Sequence, residues 1–261
     1  MATEKDARGR AAGMVPWWPT ERGHARGGRE PLTREQIVEA AIRLVDREGL
    51  DALSMRRLGQ ELGAGATSLY WHVKNKDQLI DFILDEIVGE VRAEVPFAQG
   101  WRGLLAEVAR AVRRVLIRHR HLASLLSERP TLGPNALEGI EWLMDALRRE
   151  GFGVVDASLA TNAIANWAAG YAVFECRDPT FGPDVSADQR QVSLEALASL
   201  FASLPADRFP NVVAMAAETM HLTADDQFEY GLARMLDGIE AHRGRGHTTA
   251  SSGPSAESPG S

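Results

Sequence analysis

The chain has 261 residues, 44% of them hydrophobic and 25% charged, a balance that excludes a wholly disordered, collagen-like or membrane-spanning protein. Acidic residues outnumber basic ones by 36 to 29, giving a net charge of −7, which excludes a generally basic nucleic-acid coat but leaves room for a local basic patch. The single cysteine, Cys176, cannot close an intramolecular disulfide, and the charged, glycine-containing N-terminus lacks a secretory core, so a cytoplasmic protein with no membrane partner is expected.

In chain order, residues 1–30 read as a disordered tail, with Pro16 and Pro19 flanking Trp17-Trp18, two aromatics that suit docking onto the folded part. Arg22, Arg26 and Arg29 suit either a basic arm entering a minor groove or, more plainly, a solvated tail. Thr33 and Gln36 form a capping-box pattern ahead of the stripe Ile37, Ala40, Ala41, Leu44 and Val45, which stops at Gly49. Ser54 caps a short segment carrying Leu58 and Leu62 and closed by Gly63. A second short segment runs over about 66–73, and a third starts near Lys76 and continues to a break at Pro96. Further helices are expected over about 101–120, 122–128, 134–150, 156–177, 190–203, 209–220 and 224–242, followed by a disordered tail over 244–261. No run alternates with period two for long enough to make a strand, so the fold class is all-α.

Residues 54–73 have the spacing of a helix-turn-helix, two short helices around Gly63-Ala64-Gly65 with Leu58, Leu62 and Leu69 placed to fasten the pair to the helix before it. An ordinary helical hairpin within a bundle fits that spacing equally well. Residue identity says more: Arg56, Arg57, Lys74 and Lys76 against the lone Glu61 make residues 54–76 locally +3. The second short helix presents Ala66, Thr67 and Ser68, followed by Tyr70, Trp71 and His72. Small side chains let a helix backbone approach base edges in the ~12 Å major groove, and hydroxyls bond bases or phosphates.

The run Arg56-Arg57-Leu58-Gly59-Gln60-Glu61-Leu62-Gly63, together with Leu69-Tyr70-Trp71-His72-Val73-Lys74-Asn75-Lys76, resembles the DNA-binding head of the TetR family of transcriptional repressors. The likeness extends over roughly residues 32–94 and is closest to the tetracycline-responsive members. It implies a three-helix head with its connecting helix over 31–95 and an all-α ligand-binding and dimerisation domain over 96–243. It further implies a homodimer that binds a palindromic double-stranded DNA operator and is released by a small, mostly apolar effector. Base reading would fall to Arg56, Ala66, Thr67, Ser68 and Tyr70, and phosphate contacts to Ser54, Trp71, His72 and Lys76. The tetracycline-responsive members carry larger polar groups where Ala66 and Thr67 stand, so a different operator is expected.

For the second domain the resemblance implies a four-helix dimer bundle built from the helix at 156–177, the last helix and their copies. The stripe Phe228, Leu232, Met235, Leu236 and Ile239, with the small residues Ala169 and Gly170, would then face the second subunit; core packing within one subunit is the alternative. Trp101, Trp142, Asn162, Asn166, Trp167 and Tyr171 suit an aromatic-walled effector pocket with a few amides, although core or seam packing accounts for any one of them. Tetracycline-responsive members bind a drug-chelated magnesium through histidines. The corresponding positions here hold Arg92 and Leu125 or a neighbour, with His119 and His121 out of register, so neither that ligand nor any metal or cofactor is expected. With no phosphate-binding glycine motif, metal-ligand spacing or nucleophile elbow, and with Cys176 beside Glu175, an enzyme is not expected. A protein partner in place of the small molecule, or activation in place of repression, stays open.

Overall fold

The computed structural model describes Trp18 and residues 32–243, except Phe97, Pro130, residues 179–181 and Pro183. The tail arginines, Trp17 and residues 244–261 lie outside the described residues. Every regular element among the described residues is a helix, and none of these helices is long and apolar enough to cross a membrane. The head consists of α1 (Arg34–Glu48), a 3-10 turn (Leu50–Ala52), α2 (Met55–Glu61), α3 (Ala66–Tyr70) and the connecting α4 (Lys76–Glu94). The body follows as α5 (Gly100–Arg118), two one-turn helices α6 (Arg120–Ala123) and α7 (Leu125–Glu128), then α8 (Pro134–Arg149) and α9 (Val154–Arg177). It is completed by α10 (Ala187–Ala202), α11 (Pro210–Thr219) and α12 (Ala224–His242).

Local chemistry sets most of these boundaries. Thr33 and Gln36 cap α1 reciprocally, as Ser186 and Gln189 cap α10 and Thr223 and Asp226 cap α12. Each such box satisfies two of the four N–H groups a helix start leaves without partners. Proline opens α8 and α11 at the position where its missing N–H costs nothing. The third head helix is shorter than its sequence suggests. The Leu69 carbonyl accepts the N–H groups of both His72 and Val73, at 3.0 and 2.9 Å, so the chain turns away after Tyr70.

Two apolar cores organise the molecule. The first takes Ile37, Leu44 and Val45 of α1, Leu58 of α2, Leu69 and Val73 around α3, and Leu79, Ile83 and Ile87 of α4. It runs on without a break into Val115, Leu122 and Ala172 of the body. Trp18 docks on this core, its ring edge-to-face with Phe82 at 5.1 Å, and the Arg34 guanidinium sits 4.8 Å from the same Phe82 ring. The second core lies wholly in the body, where α5 and α9 pack along each other most extensively and α12 closes over both. Arg113 knits that region together. It pairs with Glu175 in a two-toothed contact at 2.7 and 2.8 Å, reaches Asp225 at 2.7 Å and lies 4.7 Å over the Phe228 ring.

Candidate nucleic-acid interface

The head hairpin is fixed from beneath. Leu58 of α2 and Leu69 and Val73 of the α3 turn are fully buried, and Leu62 packs at their edge. Gly63 takes φ +60, a left-handed conformation in which a side chain would be strained, and this lets the chain leave α2 abruptly. With Leu69 buried, Thr67, Ser68 and Tyr70 are left on the exposed side of α3. Ala66 begins α3.

What the hairpin presents is unusual for a solvent face. Trp71 is 77% exposed and Tyr70 52% exposed, side by side, with the half-buried His72 next to them. Large aromatics left in water on a rigid scaffold mark a surface built for a partner. Lys74 and Lys76, both exposed, flank them at the start of α4. Here Asn75 caps the helix by accepting the Gln78 N–H at 2.8 Å, and Gln78 accepts the Lys74 N–H at 2.8 Å. The positive end of a 19-residue helix is therefore held beside two lysines, a setting that attracts phosphate.

Ser54 caps α2 by accepting the Arg57 N–H at 3.2 Å, which leaves its hydroxyl hydrogen for an outside acceptor. Arg56 is exposed and makes no ion pair among the described residues. Arg57 differs: it pairs with Glu48 at 2.9 Å, while Arg47 bridges Glu48 and Glu61. Hydrogen bonds from Arg57 and then Arg47 hold the Glu48 carboxyl below its ordinary range. Arg57 thus contributes to the head's own surface network, and the cations left for a polyanion are Arg56, Lys74 and Lys76.

Among the described residues, the expected effector residues fall into two aromatic groups of the second core and an exposed amide pair. Trp101 is buried edge-to-face with Phe152 at 5.3 Å, under the Arg243 guanidinium, and Trp142 packs on the edge of the same core. Trp167 instead stacks on Phe228 at 4.9 Å and Tyr171 meets the same ring edge-to-face at 5.2 Å, its hydroxyl donating to the Ala224 carbonyl at 2.9 Å. Asn162 and Asn166 are exposed, and the Asn162 amide donates back to the Ser158 carbonyl at 3.0 Å. A cleft of about 500 Å³ opens elsewhere, at the joint between head and body, lined by Trp18, Phe82, Asp85, Glu90 and His119 among others.

The expected dimer stripe lies within the subunit. Phe228, Leu232 and Leu236 are buried in the chain's own second core, and Met235 and Ile239 pack against it, so the apolar side of α12 faces inward. Ala169 packs partly against the first core, while Gly170 is exposed. The sequence reading missed a different face. On α9, Ala157, Ala160, Ile164, Ala168 and Ala172 are buried, whereas Val155, Leu159, Asn162, Asn166, Gly170 and Phe174 form an exposed row. Leu159 is 53% and Phe174 67% exposed, and Tyr230 of α12 is exposed as well. The signal was present as two rows of helical spacing on one helix, one made largely of alanine and the other of larger groups. Cys176 is half-buried, and burial, with Glu175 beside it, pushes its thiol up and away from the reactive thiolate.

Comparison with known proteins bears on both halves. Residues 37–82 match the family described as bacterial regulatory proteins, tetR family, and residues 96–243 match the tetracyclin repressor-like C-terminal domain. The chain is 33% identical over 231 residues to the HTH-type transcriptional repressor DrrR1 of Streptomyces coeruleorubidus, covering 85% of this chain and 83% of that one. It is 45% identical over 139 residues to an HTH-type transcriptional regulator of Saccharopolyspora erythraea, a match that covers 53% of this chain and 59% of that protein's length. Among solved structures, the Streptomyces coelicolor TetR family protein ActR in complex with actinorhodin is similar with a TM-score of 0.72 at 37% identity, over 83% of this chain and 99% of that one.

Proposed function

Since the chain belongs to the TetR family of bacterial transcriptional regulators, we propose that it is a repressor that grips a palindromic operator with two copies of the α2–α3 hairpin and lets go when a small, mostly apolar effector binds the body. One observation carries the reading: Tyr70 and Trp71 stand exposed beside Lys74 and Lys76 on a hairpin locked from below by Leu58 and Leu69. In this arrangement Arg56, Thr67, Ser68 and Tyr70 reach base edges, while Ser54, Trp71, His72 and Lys76 hold phosphates. Ala66, at the first position of α3, allows close approach of the helix backbone.

A single hairpin of this size reads too few bases to single out one site in a genome, so the reading requires a second copy. The exposed row of α9 from Val155 to Phe174, with Tyr230 of α12, is the surface that supports one. The effector half is supported by ActR, whose structure holds actinorhodin. An effector can act only through its different affinities for the two arrangements of the head, and α4 connects head to body.

Selection of bound sequences from random duplexes tests the whole reading. The expected product is a palindrome whose half-sites lie about one helical turn, ~34 Å, apart. Tyr70→Ala should then weaken binding to that palindrome by about 1–3 kcal/mol while leaving the fold intact. Enrichment of no symmetric motif, or a Tyr70→Ala protein that binds as the parent does, would show the hairpin face to be wrongly assigned.

A further inference from the structure

His119 lies between α5 and α6 and is only 4% exposed. Its ring is flanked on both sides by carboxylates from two other elements. Nδ1 is 2.9 and 3.1 Å from the two Asp46 oxygens of α1, and Nε2 is 3.1 Å from Glu90 of α4. A carboxylate oxygen accepts hydrogen bonds and donates none, so each ring nitrogen must donate. A ring that donates from both nitrogens is an imidazolium. One buried cation of the body is therefore shared between two helices of the head, α1 and α4.

We propose that protonated His119 is a latch that positions the head on the body, so that operator affinity follows pH through it. A neutral imidazole donates from one nitrogen only. Losing the proton turns a lone pair toward Asp46 or Glu90 in a water-poor site, and one of the two elements is released. A head held less firmly must be ordered when it meets DNA, at a cost in affinity.

The charged surroundings favour the latch. Burial alone would push the ring toward the neutral form, but the hydrogen bonds to Asp46 and Glu90 outweigh it and raise the pKa above the ordinary 6.5. Arg118 of α5 also pairs with Glu90, at 2.9 Å, so that carboxylate is shared. Across the cleft, Arg43 of α1 is engaged by Glu39 at 2.6 Å, and Asp85 and Glu86 face the same space from α4. On α6, Arg120 pairs with Asp184 at 2.7 Å, and His121 is exposed. Because the folded-state pKa is raised, the latch is complete below pH 6.5 and is lost as pH climbs through the folded value.

Two measurements on the full chain test this. Nitrogen-15 spectra of the histidine rings need no operator. They should show both His119 nitrogens protonated at pH 6.5 and a titration midpoint above it; a singly protonated His119 at that pH overturns the latch. The second measurement rests on the operator reading above. At constant salt, from pH 6.5 to about 9, the parent should lose at least about fivefold more operator affinity than His119→Gln, a coupling of ordinary size. His72 is present in both proteins, so its contribution cancels. Asp46→Asn should flatten the profile in the same way and serves if His119→Gln does not fold. Parallel profiles for parent and variants overturn the proposal. A parent that binds no duplex at any pH counts against the operator reading instead, and the ring spectra then decide the latch.

Discussion

The head hairpin and the last helix of the body carry the same kind of signal, an apolar stripe on an amphipathic helix, yet they resolve in different ways. In the head, Leu58 and Leu69 bury against α1 and α4, elements close by in the chain, and the opposite side, with Tyr70 and Trp71, is exposed. In the body, Phe228, Leu232 and Leu236 bury against α5 and α9, elements far away in the chain, and the side facing outward is another one. A period of 3.6 tells which residues share a side but not what that side meets. Where the candidate neighbours are a turn away, the choice is nearly made; where they include both a distant helix and a second copy of the chain, it is not.

Phe228→Ala carries the largest expected effect. Removing an inward-facing ring stacked on Trp167, edge-to-face with Tyr171 and capped by Arg113 should cost about 3–5 kcal/mol of subunit stability, as aromatic truncations in cores do. Urea unfolding checks it. A variant as stable as the parent but weaker in self-association would restore α12's stripe to the subunit interface. By contrast, Phe174→Asp on the exposed row of α9 should leave subunit unfolding within about 0.5 kcal/mol of the parent. It should still weaken self-association by about 2 kcal/mol or more, the scale of a central interface aromatic. Sedimentation at graded concentrations measures the difference, and unchanged association would move the interface off α9.

Much of the head was legible from residue types alone. The capping residues Thr33 and Ser54, the glycine at 63 and the buried leucines are local devices whose outcome depends on few distant contacts. Arg57 was the exception: its charge was visible, but its partner Glu48, nine positions earlier, emerges only when the turn after α1 folds back. The body was less legible because its polar contacts span long separations. Arg113 meets Glu175 across 62 positions and Asp225 from a third helix, and no periodicity announces such a pairing. The placement of the expected pocket residues was illegible for the same reason. Tryptophans suit a core as well as a cavity, and only packing decides between them.

The smallest expected effect concerns the seam where the two regions join. Asp85 of α4 is 4% exposed and caps α8, accepting the N–H groups of Asn135 at 3.2 Å and Ala136 at 3.0 Å. Its carboxyl lies so close to Gly133 that a Cβ there would fall 2.3 Å from its carbon, so only glycine admits the contact. Burial pushes the Asp85 pKa up to about 6, against the pull of those two N–H groups. Because the folded value lies above the ordinary 3.8, the native state holds the proton more tightly than the unfolded chain does. Stability from this group is therefore present at low pH and is lost as pH rises from 3.8 toward about 6. Asp85→Asn removes the titration but keeps one acceptor oxygen for the two N–H groups, so a constant offset from the parent is expected and the pH dependence carries the test. From pH 4 to pH 7 the stability difference should move in the variant's favour by about 1–2 kcal/mol, less than the full shift implies because local opening lets water reach a partly formed charge. Urea unfolding of both proteins at the two pH values reads the difference directly. If the difference does not move with pH, the carboxyl is charged throughout. The joint would then tolerate a buried anion beside α8, and the head–body seam would be more polar than its packing indicates.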